Sequence, residues 1–246
     1  MNICIDQGNS RTKVALFDEQ GNIIKSFVYK IFRSSDAQRL FSLYSISDSI
    51  ISSVINLEPS MVNTLNRLSR HFVLFDHQTP IPIINDYDTP ETLGQDRLAA
   101  AVGANYICPG ENLLIIDIGS AITYDFVSAE NHFTGGNIAP GIKMRFTALR
   151  QMTKKLPKVE VDENELIPLF GHNTRDAIAA GIVRGISFEV KGYMRTIDER
   201  VEHYKTFLTG GHAPYILNHV QSPMQHERHL VLKGLNRILE YNKTTH

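Results

Sequence analysis

No apolar run in this 246-residue chain approaches the roughly 18 to 20 residues that a membrane-spanning helix requires. Membrane anchorage through such a helix is therefore not expected. Only two cysteines are present, and Cys4 and Cys108 lack metal-ligand spacing. Cys4 lies in an apolar strand pattern, where a buried, inert thiol is expected, and the scarcity of cysteine fits a reducing compartment. Met1 leads straight into that strand instead of a basic segment and a secretory core, so a cytoplasmic location is expected. Charge of one sign is also lacking: 25 Lys and Arg face 26 Asp and Glu, a formal net charge of -1. No basic field calls for nucleic acid, and any anion must be gripped locally. The ten histidines are scattered; His226 and His229 could share a helix face, but no third metal ligand accompanies them.

What is present is a repeated pattern. The length suits one large domain or two compact halves. Period-2 apolar patterning marks ICI before Asp6, then KVALF, then GNIIKSFVYKI, which predicts a three-stranded antiparallel meander. SIISSVI reads as a buried strand, PSMVNTLNRLSRHF as a helix with Pro in its first turn, and VLFD as a further strand. PIPIINDYDTP is interrupted by prolines, and ETLGQDRLAAAVGANYIC favours a helix through its alanines. ENLLIIDIGSAITYDFV then gives strand, turn and strand again, followed by the Gly/Pro-rich NHFTGGNIAPG, read as a loop. From Thr174, apolar residues at Ile178, Ile182, Ile186, Tyr193, Ile197 and Val201 predict a long amphipathic helix. KTFLTGG reads as a strand ending in a glycine turn, and HLVLKGLNRILEYN as a strand fragment and a final helix. The expected fold is α/β, with related halves at 1–110 and 111–246 and a cleft between them.

An Asp closing a strand beside a Gly turn is commonplace, but two in register suggest chemistry. At IDQGNSRTK and IDIGSAITYD, Gly8 and Gly119 let backbone N–H groups approach an anion. Asn9, Ser10 and Ser120 add short donors, and Asp6 and Asp117 can hold a divalent cation through water. Lys13 adds a positive charge, or is a solvated surface lysine. Thr209, Gly210 and Gly211 form a third glycine turn, against which a flat base could lie.

DQGNSRTK, SSV, YDTPETLGQDR, DIGSAITYD, GGNIAPGI, KLP, GHNT, TGG and LVLKGL together resemble, in order and over nearly the whole chain, the motif series of type III pantothenate kinases. That family lies within the acetate and sugar kinase, Hsp70 and actin superfamily. The resemblance implies duplicated actin-like, ribonuclease H-like halves around a central nucleotide cleft, and transfer of a phosphoryl group from ATP to pantothenate at the start of coenzyme A synthesis. Asp96 is the candidate general base: Gly94 permits close approach, Asp96 opens an alanine-rich helix, and Arg97 suits a carboxylate. On spacing alone, a helix N-terminal charge paired with its neighbouring arginine explains Asp96 equally well. The resemblance selects the catalytic reading.

It further implies Mg2+ at Asp6, nucleotide contacts at Gly8, Asn9, Ser10, Lys13, Asp117, Gly119, Ser120, Thr209, Gly210 and Gly211, and pantothenate contacts at Tyr87, Gly94, Gln95, Asp96 and Arg97. Thr174 would reach the pantothenate pocket from the partner subunit of a homodimer with a shared active site, and Asp125 would accompany K+ or NH4+. Simpler roles stay open: packing for Tyr87, an N-cap for Thr174, a strand end for Asp125. Gln7 beside Asp6, and His212 where an acidic residue is common after TGG, depart from the pattern. Rival functions are a nucleotide-dependent regulatory or binding protein of the same fold, and a kinase for another small hydroxyl or carboxylate substrate.

Overall fold

Ile3, Cys4 and Ile5 are fully buried in Asn2–Gln7 (β1), because this strand is the middle of a sheet covered on both faces. The strand pairs antiparallel with Thr12–Phe17 (β2), which pairs antiparallel with Ile23–Tyr29 (β3). The expected meander is therefore present. IIKSFVY carries its polar residues outward, as an edge strand requires. Ser34–Leu43 (α1) follows, then Asp48–Ser53 (β4), Pro59–Leu68 (α2) and His71–Leu74 (β5). β4 runs parallel to β1 and β5 parallel to β4. The strand order is β3-β2-β1-β4-β5.

Ala37 and Leu40 of α1, with Met61 and Leu65 of α2, pack on Ile3, Ile5, Val14, Leu16 and Ile51 of this sheet. α1 had no expectation in the sequence, because its N-cap is Arg33, a residue outside the preferred capping set. Asp36 supplies the cap instead, accepting from the Arg33 N–H at 3.0 Å. α2 stops earlier than its apolar pattern suggested. Ser69 closes it by donating to the Leu65 carbonyl, and His71 is drawn into the sheet by Asp48, which accepts from its N–H at 3.2 Å and lies 2.9 Å from Nδ1.

The computed structural model describes residues 1–244, which divide into two compact units. Unit 1 holds Met1–Gly110, Glu130–Thr134 and the stretch beginning at His229; unit 2 holds Glu111–Ala129 and Gly135–Arg228. In unit 1, Ile84–Asn85 (β6) pairs with His132 and Phe133, and Gln95–Ile107 (α3) follows a 3-10 turn over Pro90–Thr92.

Unit 2 contains Leu113–Ile118 (β7), Ala121–Val127 (β8), the greater part of His132–Pro140 (β9), Ile142–Met152 (α4), Thr174–Asp198 (α5), Lys205–Thr209 (β10), Pro214–Leu217 (α6) and Gln225–His226 (β11). Read from β9, the order β9-β8-β7-β10-β11 repeats that of the first sheet. The directions repeat too: β7 is antiparallel to β8 and parallel to β10, and β10 is parallel to β11. The chain is thus a duplicated α/β fold. Ile178, Ile182, Ile186, Val190 and Met194 of α5 form one buried stripe over Leu114, Ile116, Ile118, Ile122 and Tyr124.

Two expectations are corrected. HFTGGNIAP is the strand β9 and not a loop: β6 pairs only with His132 and Phe133, so the glycines and the terminal Pro140 lie beyond that ladder, where they are tolerated. HLVLKGLNRILEYN contains no strand fragment; Leu230–Thr244 is a single helix, α7, and it packs in unit 1, not with the second half of the chain. Its Leu230, Val231, Leu235, Ile238 and Leu239 are buried. Asn2 donates to Asn236 at 2.7 Å and to Glu240 at 2.6 Å, and Lys243 lies 2.8 Å from Asp48. Burial pushes the Asp48 carboxyl up, yet bonds from Lys243, His71 and Ser47 bring it down to about 2.

α3 and α7 meet backbone to backbone. A methyl on Gly234 would strike the Ala99 carbonyl and lie 2.9 Å from the Gly103 nitrogen. Gly234→Ala gains about 1 kcal/mol of helix propensity, but overpacking against rigid backbone costs more, about 1–3 kcal/mol. A lower urea midpoint is expected; a midpoint at or above the parent's would refute the close contact.

Candidate active site

Asp6 is the penultimate residue of β1, 8% exposed, with Lys13 across the antiparallel ladder and Ser52 across the parallel one. Beyond it Gly8 donates to the Arg11 carbonyl at 3.1 Å, closing a turn that leaves Asn9, Ser10 and Arg11 exposed. The apolar strand thus ends in a carboxylate, a cation across the ladder and exposed polar residues. Gln7 does not compete for this space. Its Oε1 accepts from Ser53 Oγ at 3.3 Å, and its carbonyl accepts from the Val54 N–H at 3.1 Å. The departure at Gln7 therefore ties the end of β1 to the end of β4.

In unit 2 the equivalent carboxylate is Asp117, whose cross-strand partner is Thr123, so the position of Lys13 has no cationic counterpart. Gly119 donates to the Ala121 carbonyl at 3.0 Å, a tighter turn than Gly8–Arg11, and Ser120 is exposed at its tip. The glycines around this loop serve close approach. A Cβ on Gly141, just before α4, would strike the Ser120 carbonyl and sit 2.8 Å from that of Gly119. Gly210, with φ of +96°, would strike Asp117 Oδ1 and the Ile118 carbonyl. The Thr209-Gly210-Gly211 turn, distant in sequence, therefore lies against the Asp117 loop. Beside it is a cavity of about 550 Å³ bordered by His212, Tyr215, Ile142 and Phe146, with Lys143, Arg150 and Lys158 also lining it. Asp125, in the middle of β8, is 1% exposed.

The GQDR segment lies in unit 1. Gly94 is the N-cap residue of α3, and Asp96 sits in the first helical turn, where its Oδ1 accepts from the Arg97 N–H at 2.9 Å. Arg97 is 5% exposed, its guanidinium 5.5 Å from the Tyr87 ring centre and 5.9 Å from that of Phe133. The rings of Tyr87 and Phe133 are 6.3 Å apart. Phe133 was missed by sequence reasoning because it lies in the segment read as a loop. Its pairing with Asn85 places it there, and the Asn85 side chain accepts from the Tyr87 N–H at 3.1 Å. Gln95 Nε2 donates to the Leu93 carbonyl at 3.2 Å.

Thr174 is the first residue of α5, but Asn173 performs the capping, accepting from the Asp176 N–H at 2.9 Å. The N-cap alternative is therefore excluded. Thr174 is exposed and lines a cavity of about 630 Å³ with His172, Asn173, Ala177 and Gly181. Among the described residues, no group of three or more His, Cys, Asp or Glu is arranged to hold a metal ion. A lone carboxylate such as Asp6 suits Mg2+ that arrives with phosphate oxygens and water as its other ligands.

The model of the type III pantothenate kinase family matches residues 2–196. The chain belongs to that family. The type III pantothenate kinase of Phocaeicola vulgatus is 43% identical over 247 residues, which cover 98% of this chain and 99% of the relative. Of solved structures, a conserved Baf family transcriptional activator from Campylobacter jejuni aligns with TM-score 0.65 and 21% identity, over 98% of this chain and 99% of that one. The ADPNP-bound activator of 2-hydroxyisocaproyl-CoA dehydratase from Clostridium difficile aligns with TM-score 0.57 and 13% identity, over 99% and 96%. These structural likenesses show the fold, in keeping with the duplicated halves.

Gly94 gives a direct test of the family's GQDR segment. Its φ of -58° suits any residue, but a Cβ there would sit 2.7 Å from Asp96 Oδ1. Gly94→Ala should displace the carboxylate with little effect on the melting temperature, and lower kinase turnover at least about tenfold. Parent-like turnover would show that the position of Asp96 is immaterial.

Proposed function

We propose that the protein transfers the γ-phosphoryl group of ATP to the primary hydroxyl of pantothenate, giving 4′-phosphopantothenate, the first step of coenzyme A synthesis. Membership of the type III pantothenate kinase family, at 43% identity across the whole chain to a curated member, carries this reading. Asp96 orients the substrate hydroxyl and takes its proton as the oxygen attacks phosphorus, while ADP departs from the opposite side. Arg97, held among aromatic rings, receives the pantothenate carboxylate, and Tyr87, Gly94 and Gln95 shape the acceptor site. A guanidinium held 5.5 Å from the Tyr87 ring centre and 5.9 Å from that of Phe133 loses little freedom when it binds.

Each turn offers a place for nucleotide phosphate: in unit 1 Asn9, Ser10 and Lys13 on the turn that Gly8 closes, and in unit 2 Ser120 beside Asp117 on the turn that Gly119 closes. Thr209, Gly210 and Gly211 receive the adenosine end. Mg2+, held through Asp6 and the nucleotide, supplies charge neutralisation on the phosphates. Asp125 accompanies a monovalent cation, K+ or NH4+; a carboxylate so deeply buried requires compensating charge or donors. The reaction belongs in the cytoplasm, and no helix among the described residues is long and apolar enough to cross a membrane.

The working unit is a homodimer built on α5. That helix leaves Ala177, Gly181, Phe188 and Gly192 exposed along one face, with Phe188 at 54%. A Cβ on Gly181, Gly185 or Gly192 would meet nothing. A second α5 fits that face, bringing Thr174 to the partner's acceptor site.

Two experiments test these assignments. Asp96→Asn should keep the fold and lower kcat about a hundred- to ten-thousand-fold with ATP, Mg2+, K+ and pantothenate; full turnover would remove Asp96 as the base. Product from a sugar or from acetate, with none from pantothenate, would overturn the substrate. Phe188→Glu should convert a sedimenting dimer to monomer with loss of activity, and a fully active monomer would sink the shared site.

A further inference from the structure

His212 follows the Thr209-Gly210-Gly211 turn, and both its backbone and its ring reach the second Asp-x-Gly loop. Its N–H donates to the Ile118 carbonyl at 2.9 Å, and its Nδ1 lies 3.0 Å from the Gly119 oxygen. A carbonyl oxygen only accepts, so Nδ1 carries a proton in this contact. The ring packs edge-on to Tyr215, centres 5.7 Å apart at 75°, and borders the 550 Å³ cavity.

Gly141 and Gly210 allow their neighbours to crowd the Asp117–Ser120 loop, but a missing side chain exerts no pull. The imidazole does. We propose that His212 is a positioning residue for phosphoryl transfer, strapping the second phosphate loop to the glycine turn through its Nδ1–H bond to the Gly119 carbonyl. The inference rests on the kinase reading, because a loop whose backbone N–H groups face a transferring phosphoryl group must hold its geometry through the reaction. A carboxylate at position 212 would turn an acceptor toward the Gly119 oxygen and could not make this bond, so the strap needs an N–H donor at this position. Imidazolium still donates from Nδ1, so the strap survives protonation and behaves unlike a proton-transfer group.

The test compares His212→Ala, His212→Phe and His212→Asn in the full chain. It reads steady-state kinetics and hydrogen exchange at the Gly119 amide, which the loop's own bond to Ala121 protects. Alanine and phenylalanine should speed exchange about three- to tenfold and lower kcat by a similar factor, leaving KM for pantothenate unchanged. Asparagine, whose amide N–H replaces Nδ1–H, should recover both within about twofold. Parent-like exchange and kcat in His212→Phe would overturn the strap, as would an asparagine variant no better than alanine. A parent protein that makes no phosphopantothenate would instead overturn the kinase reading, and the exchange comparison would still decide the strap.

Discussion

A strand buried on both faces can place a charge cheaply only at its end, and this constraint fixes where chemistry sits in each unit. β1 and β7 are the central strands, apolar through Ile3–Ile5 and Leu113–Ile116, and each reaches a carboxylate just before its turn. Parallel neighbours, β4 beside β1 and β10 beside β7, end on the same side. Ser52, Ser53 and the Thr209-Gly210-Gly211 turn are therefore brought to the carboxylate ends by topology. The opposite end of β1 meets the same constraint differently: Asn2 and Asp48 are buried there, and α7 answers them with Asn236, Glu240 and Lys243. The final helix belongs to unit 1 because those polar groups need partners.

The duplication is topological more than chemical. The first turn is wide, exposed and accompanied by Lys13. The second is tight, faces Thr123 and is braced by Gly141, Gly210 and His212. Lys13 brings a full charge to the first carboxylate end. The second is braced mainly by closely packed backbone.

Much of this was legible in the residues. The meander and α5 followed from periodicity, α3 from its alanines, and the two Asp-x-Gly turns located both carboxylates. Less legible were features set by contacts between distant segments. α1 lacks a preferred cap, so its signal was local and weak. β9 carries glycine and proline, which read as loop unless its place between β8 and β6 is known. Phe133, and with it the aromatic surroundings of Arg97, was lost in the same segment. Gln7 and His212 were visible as departures, but their partners, Ser53 and Gly119, lie 46 and 93 residues away.

The long helix of unit 2 is not an independent strut. Arg145 of α4 makes a paired bond to Glu189 of α5, at 2.6 and 2.7 Å, and also donates to the Pro140 carbonyl at 2.8 Å. Tyr124 of β8 adds its hydroxyl to Glu189 at 3.4 Å and stacks on Tyr193 of α5, ring centres 4.0 Å apart. Burial first, and Glu189 next, push the Tyr124 hydroxyl well above the usual phenol range, so it stays a donor throughout the physiological range. A two-point Arg–Glu bond fixes orientation as well as distance, and α4 begins at Gly141, pressed on the Ser120 carbonyl. The helix that offers an apolar face to the outside is thus tied by the Arg145–Glu189 pair to α4, whose first turn abuts the Ser120 carbonyl.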